Sequence, residues 1–189
     1  MKKMTVFASA ILVAAASFAQ TWSLDKTHAK LGFGVSHLMV SETEGNFKTF
    51  EAKITSSKAD FTDAVIDLTA DVNSINTDVV DRDNHLKSPD FFDAAKFPTI
   101  TFKSKSFVKA DAKNYKLTGD LTMHGVTKPV VLDVIFNGTA IHPYNKKTVA
   151  GFKVKGMLKR ADFALSPNTP GAVVGDDIAL TANMEFFKD

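Results

Sequence analysis

Cysteine is absent from the 189-residue chain. That excludes a disulfide framework, a thiolate metal site, a cysteine nucleophile and a lipid-modified N-terminal cysteine. Arginine is scarce, Arg82 and Arg160 being the only two among 23 basic residues. Tyrosine and tryptophan are scarce too, at 2 and 1 against 16 Phe. The 10 Gly and 6 Pro are too few for a collagen-like or low-complexity chain, and 44% hydrophobic with 23% charged residues fits one globular domain. The Phe surplus hints at an interior larger than its own side chains need.

Long hydrophobic runs are lacking with one exception. Met4 to Phe18 is uncharged and mostly apolar, stands behind Lys2 and Lys3, and ends in Ser17-Phe18-Ala19. The run is short for a spanning helix, and Ser17 and Ala19 supply the small residues that precede a signal-peptidase cut. Residues 1–19 are therefore expected to be a cleaved signal peptide and residues 20–189 a single domain, secreted or periplasmic and without stable membrane insertion. A retained anchor is the other reading of that run. Removing the leader deletes two basic residues and no acid, which leaves equal numbers of each sign. The sequence pI of 8.7 thus mostly reflects the leader. A neutral, Arg-poor domain has no electrostatic footprint for nucleic acid or for an anionic membrane surface.

What the rest of the chain does contain is alternation. Ala64, Ile66, Leu68, Ala70 and Val72 are apolar while Asp67, Thr69, Asp71 and Asn73 fall between them, the period of a half-buried strand. The same period recurs in Leu31-Phe33-Val35, Phe50-Ala52-Ile54, Ile100-Phe102, Tyr115 to Met123, Val130 to Phe136, Ala150-Phe152-Val154 and Ile178 to Phe186. Asn137-Gly138 reads as a bulge, because a turn there would leave the next stretch too short to pair. Asn76 to Pro98 breaks the pattern. Val79, Val80 and Leu86 share a helical face, Asn76 or Thr77 is placed to cap it, and Ser88-Pro89-Asp90 repeats a helix-start signal. One or two short helices, at about residues 77–95, are expected to interrupt an antiparallel chain. Eight amphipathic strands make a sandwich or a closed barrel, and the long strands and Phe surplus lean toward the barrel.

Ordered blocks then carry a resemblance. They begin with Trp22-Ser23-Leu24-Asp25-Lys26-Thr27-His28, Phe33-Gly34-Val35-Ser36-His37 and Gly45-Asn46-Phe47. Ser74-Ile75-Asn76-Thr77 follows, then Arg82-Asp83-Asn84-His85-Leu86-Lys87-Ser88-Pro89-Asp90-Phe91-Phe92-Asp93 and Phe97-Pro98-Thr99-Ile100-Thr101-Phe102. The last are Gly119 to Val130 and Arg160-Ala161-Asp162-Phe163. Together they span residues 22–186 and resemble the YceI-like family. Ala164 and Ala29 depart from the usual Gly and Ser, small changes that touch local detail only. The resemblance implies an all-β, eight-stranded antiparallel lipocalin-like barrel with a short helical insert, of mostly periplasmic location. It also implies a long-chain isoprenoid or similar amphiphilic lipid as the partner held inside, with no cofactor; a homodimer stays open.

Every second residue of a barrel strand faces inward. The candidate lining is Leu31, Phe33, Val35, Phe50, Ile66, Leu68, Phe102, Leu117, Leu121, Leu132, Val134, Phe152, Val154, Leu180 and Met184, side chains that pack on one another if the barrel is solid. An apolar lining suits an isoprenoid chain, since burial is worth about 0.8 kcal/mol per methylene and needs no directional partner. Asp25, His28, His37, Arg82, Asp83 and His85 are candidates for the barrel mouth or a lipid head group. A periplasmic enzyme using such His, Asp and Arg groups is the competing reading. No metal spacing on one helix and no Gly-framed Ser supports it. For Asp25 with His28 a loop-closing hydrogen bond is the simpler reading, for Arg82 with Asp83 pairing at a helix start, and for Ser88 a helix cap. The function expected is non-enzymatic lipid binding, with transport or storage as its purpose.

Overall fold

The computed structural model describes residues 19–189, so the proposed leader lies outside the described residues apart from Ala19. Eleven strands form one sheet that closes on itself: β1 Gln20–Leu24, β2 Lys30–His37, β3 Ser41–Phe47, β4 Phe50–Ser56, β5 Val65–Asp71, β6 Ile75–Asn76, β7 Thr99–Lys109, β8 Asn114–Met123, β9 Val126–Ile141, β10 Thr148–Lys159 and β11 Val174–Lys188. They amount to eight staves, because three staves are broken. β1 and β2 run in line along β11, separated by a 3₁₀ turn at Lys26–His28. β3 and β4 run in line opposite them, and β5 and β6 continue through a turn at Val72–Ser74. Each of the eight alternating segments of the sequence falls on a different stave. The closed antiparallel barrel is what the fold reading expects.

The breaks have local causes. Asp25 ends β1 by turning its carboxylate onto the Thr27 N–H at 2.9 Å and the Thr27 hydroxyl at 2.7 Å, a side-chain turn that competes with the ladder. Asp71 does the same to Asn73 N–H at 2.9 Å. Gly138 sits at φ 105° where β9 shifts register against β10, leaving Asn137 as the extra residue. This is the expected bulge. A second shift lies between Ser104 and Ser106, and it brings both Phe102 and Phe107 inward although they are an odd number apart.

The insert differs from expectation in its second half. Only α1, Val80–Lys87, is helical, and its cap position is Val79, which gives no side-chain hydrogen bond. Thr77 acts from outside the helix, donating its N–H (2.8 Å) and hydroxyl (2.6 Å) to Asp83. After Ser88 the chain folds into successive turns instead of a helix. Phe91 and Asp93 N–H groups both return to the Ser88 carbonyl, and Asp93 adopts φ 47°.

Candidate functional site

The two ends of the barrel are built differently. At one end the β4–β5 connection folds inward, so that Phe61 is buried among Trp22, Phe136 and Phe152 at ring-centroid distances of 5.0, 5.1 and 5.2 Å. The Tyr115 hydroxyl donates to the Asp60 carbonyl at 2.9 Å beneath it. Phe61 holds φ 59°, a left-handed conformation that costs a non-glycine residue about 1–2 kcal/mol. Asp63 secures the loop by accepting from Ser56, Ser57 and the Lys58 N–H. Burial works to raise its carboxyl, but those hydrogen bonds outweigh it and hold it well below the usual range. This end is a floor.

The other end carries the β2–β3 hairpin, the insert, the His124–Gly125 turn and the segment between β10 and β11. Between floor and insert lies a cavity of about 200 Å³. Of its 35 lining residues, Arg160 and Thr181 alone have a polar side chain. Fourteen of the fifteen candidate lining residues are on this wall: Leu31, Phe33, Val35, Ile66, Leu68, Phe102, Leu117, Leu121, Leu132, Val134, Phe152, Val154, Leu180 and Met184. Phe50 is not. It lies beside the unpaired gap where the Asp25–Ala29 and Lys48–Thr49 breaks face each other, in a second, more open and more polar hollow with Leu24, Ala29 and Phe47. Alternation gave its face correctly and missed that its stave is interrupted just before it.

Sequence reasoning missed Leu86, Phe91 and Phe92, which the insert contributes to the wall. Their helical or turn spacing carries no strand parity. Arg160 was missed as well. It is buried, and its guanidinium donates to the carbonyls of Gly175 (3.4 Å), Leu165 (2.7 Å), Ser166, Thr169 (3.0 Å) and Val174 (3.3 Å). All five of its N–H donors are thereby used, so it organises the loop at the open end rather than gripping a ligand.

None of the six polar candidates lines the cavity. Asp25 and His28 bond each other at 2.9 Å in the wall where β1 gives way to β2. Burial works to raise the Asp25 carboxyl, yet hydrogen bonds from His28 and Thr27 and the His28 charge prevail and hold it down to about 2. The same hydrogen bond and the Asp25 charge raise His28. With Glu185 they form the one group of three His or acid ligands found within 4.8 Å among the described residues. The Asp25 carboxylate is already spent on Thr27 and His28, which makes the pair a latch. Arg82 donates to the Thr77 hydroxyl and carbonyl at 2.8 Å each. Asp83 accepts from the same residue, so both fasten the root of the insert. His85 meets Asp90 at 3.6 Å and the Phe91 ring at 5.0 Å, while His37 is exposed at the end of β2. The candidates fall into separate groups and build no common acid–base site.

Comparison with known proteins finds that the family model described as YceI-like domain matches residues 22–186. A UPF0312 protein of Staphylococcus aureus is 36% identical over 169 residues, covering 87% of this chain and 96% of that protein. The solved Campylobacter jejuni YceI protein shares 35% identity with a TM-score of 0.72, over 82% of this chain and 90% of its own. A polyisoprenoid binding domain from Saccharophagus degradans has a similar fold at 17% identity and a TM-score of 0.67, over 89% and 98%.

Proposed function

This chain belongs to the YceI-like domain family, and we propose that its barrel binds the hydrocarbon chain of an isoprenoid or similar amphiphilic lipid without acting on it chemically. The observation that carries the proposal is the wall itself, apolar on every side and blind at the floor. A ligand inside finds almost no hydrogen-bond partner, so what binds there is bound through burial of its own apolar surface. The similar fold of the S. degradans domain, which is described as polyisoprenoid-binding, supports the same class of ligand.

The volume adds a constraint. About 200 Å³ is below the ~300–1,000 Å³ of most ligand pockets. A chain of several isoprene units therefore fills the cavity and displaces Phe91 and Phe92, which are half-buried and belong to turns rather than to the sheet. Its head group then stays at the insert end. Transport or storage is the purpose such blind, one-ended binding serves. Organic extraction of the native protein followed by mass spectrometry is expected to return about one lipid per chain; no extractable lipid together with no uptake of a hydrophobic dye refutes the reading. Export belongs to the same proposal, and intact mass of the cellular protein is expected to start at Gln20.

A further inference from the structure

The β2–β3 hairpin tip is built against both local rules that govern such turns. Leu38 and Met39 hold φ of 51° and 59°, and the Val40 N–H returns to the His37 carbonyl at 3.2 Å. A turn with two central residues at positive φ favours Asn-Gly or Asp-Gly, because other side chains are strained there. This sequence puts Leu-Met in the turn and follows it with Val. It also leaves them in water, with Leu38 52%, Met39 76% and Val40 83% exposed. The Leu38 N–H reaches the Val173 carbonyl at 3.0 Å, and Val173, itself 40% exposed, joins the same patch.

Two further observations say what covers it. First, charge is missing: residues 38–41 and the thirteen residues from Phe163 to Gly175 contain no Asp, Glu, Lys or Arg, in a chain that is 23% charged. A surface that enters a low-dielectric medium must have no charge to desolvate, whereas a protein partner of this nearly neutral chain would accept charges at the rim. Second, the patch is continuous with the cavity. Val35 and Val174, a few residues behind the tip on the paired strands β2 and β11, both belong to the cavity wall.

From these we propose that the β2–β3 tip and the adjoining Phe163–Gly175 loop dip into the surface of a lipid bilayer, seating the open end of the barrel on the membrane. The inference goes beyond lipid binding in the cavity and rests on that reading for its purpose. The tip and this loop carry no cation, so their insertion is driven by apolar burial rather than by attraction to anionic lipid.

The absence of cysteine makes a clean probe available. Met39→Cys, labelled with an environment-sensitive fluorophore, is mixed with phosphatidylcholine vesicles. The emission is expected to shift to the blue, and the same label at Asn145→Cys, on the β9–β10 turn of the floor end, is expected not to respond. In the same assay Leu38→Asn/Met39→Gly is expected to weaken vesicle binding about tenfold or more, with an unchanged or higher melting temperature because the turn is relieved. No shift at residue 39, an equal shift at residue 145, or full vesicle binding by the relieved turn overturns the inference. A shift that appears on concentrating the protein without vesicles also overturns it and assigns the tip to self-association. Extracting lipid from the same preparation separates the two readings: lipid present without tip insertion sinks only the membrane contact, while tip insertion with no lipid and no dye uptake sinks the cavity reading.

Discussion

Emptying the barrel is expected to cost it stability by an amount the cavity sets. Lining side chains around a void lose their contacts on one side, at about 24 cal/mol per Å³ of cavity in a well-packed protein. For about 200 Å³ that comes to roughly 5 kcal/mol between the vacant and the filled barrel. The figure requires the void to stay open, and the architecture enforces this. The strands close in a hydrogen-bonded ring through β1, β4, β5 and β7 to β11, so inward collapse would break ladder bonds. For a domain of this size each kcal/mol is worth about 2–4 °C. Calorimetry on lipid-bearing protein and on the same protein after detergent exchange should therefore show melting temperatures about 10–20 °C apart. Equal melting temperatures, with mass spectrometry confirming that lipid has gone, would refute the argument, because the interior would then gain nothing from being filled.

Leu68 stands between Ala52 and Phe102 on the neighbouring strands and on the cavity wall, so Leu68→Phe should lower extractable lipid while costing less than about 1 kcal/mol. A loss of about 1–3 kcal/mol with lipid unchanged is the signature of overpacking and counts against a usable cavity. Arg160→Ala leaves five carbonyls without their donor and should cost about 3–5 kcal/mol in urea unfolding, with Arg160→Lys restoring only a minor part; a loss under about 1 kcal/mol would remove Arg160 from its organising role. The His28 imidazole is raised above its ordinary 6.5 by Asp25, so its proton stabilises the fold below that value and the benefit is lost as pH rises through the raised one. Asp25, held at about 2 against an ordinary 3.8, contributes above 3.8 and stops contributing as pH falls toward 2. Thermal unfolding followed upward from pH 6 should decline in the native protein and lose that component in His28→Gln; parallel curves would show that the latch does not couple to folding.

Alternation made eight staves legible because one face of each meets the interior and the other meets water. Ile66, Leu68 and Ala70 needed nothing more than parity. Parity fails where the chain leaves the ladder. β1 and β3 went unread because Gln20–Leu24 and Ser41–Phe47 do not alternate cleanly: four consecutive polar residues open β3, and Gly45 faces the Phe33 ring where a side chain would clash. The insert was legible as an interruption but not as a wall, since Leu86, Phe91 and Phe92 reach the cavity through turns whose geometry depends on Ser88 accepting two N–H groups. Arg160 was visible only as part of a late block. Its five acceptors come from residues 165–175, a loop with no periodicity to announce them. Asp25, His28, Arg82 and Asp83 fasten loops, while His37 stays exposed at the end of β2.

The contrast between the ends gives the barrel a direction. At the floor, the loop of residues 57–64 is tied by Asp60 and Asp63 and driven into an unfavourable backbone at Phe61, with aromatic rings packed on three sides. Opening it would break charge-assisted hydrogen bonds and expose that cluster together. At the other end the hydrogen bonds of residues 79–97 all stay within residues 77–97. The insert therefore meets the sheet through apolar packing, such as Phe92 against Phe47 at 6.2 Å and Phe97 against His124 at 4.9 Å. Apolar contacts re-form against a hydrocarbon chain as readily as against a ring, whereas hydrogen bonds do not. The insert, which lacks polar ties to the sheet, is thus the part that yields, and it shares its end of the barrel with the uncharged β2–β3 tip and Phe163–Gly175 loop. On the proposed function, a lipid chain would enter there tail first and stop at Phe61.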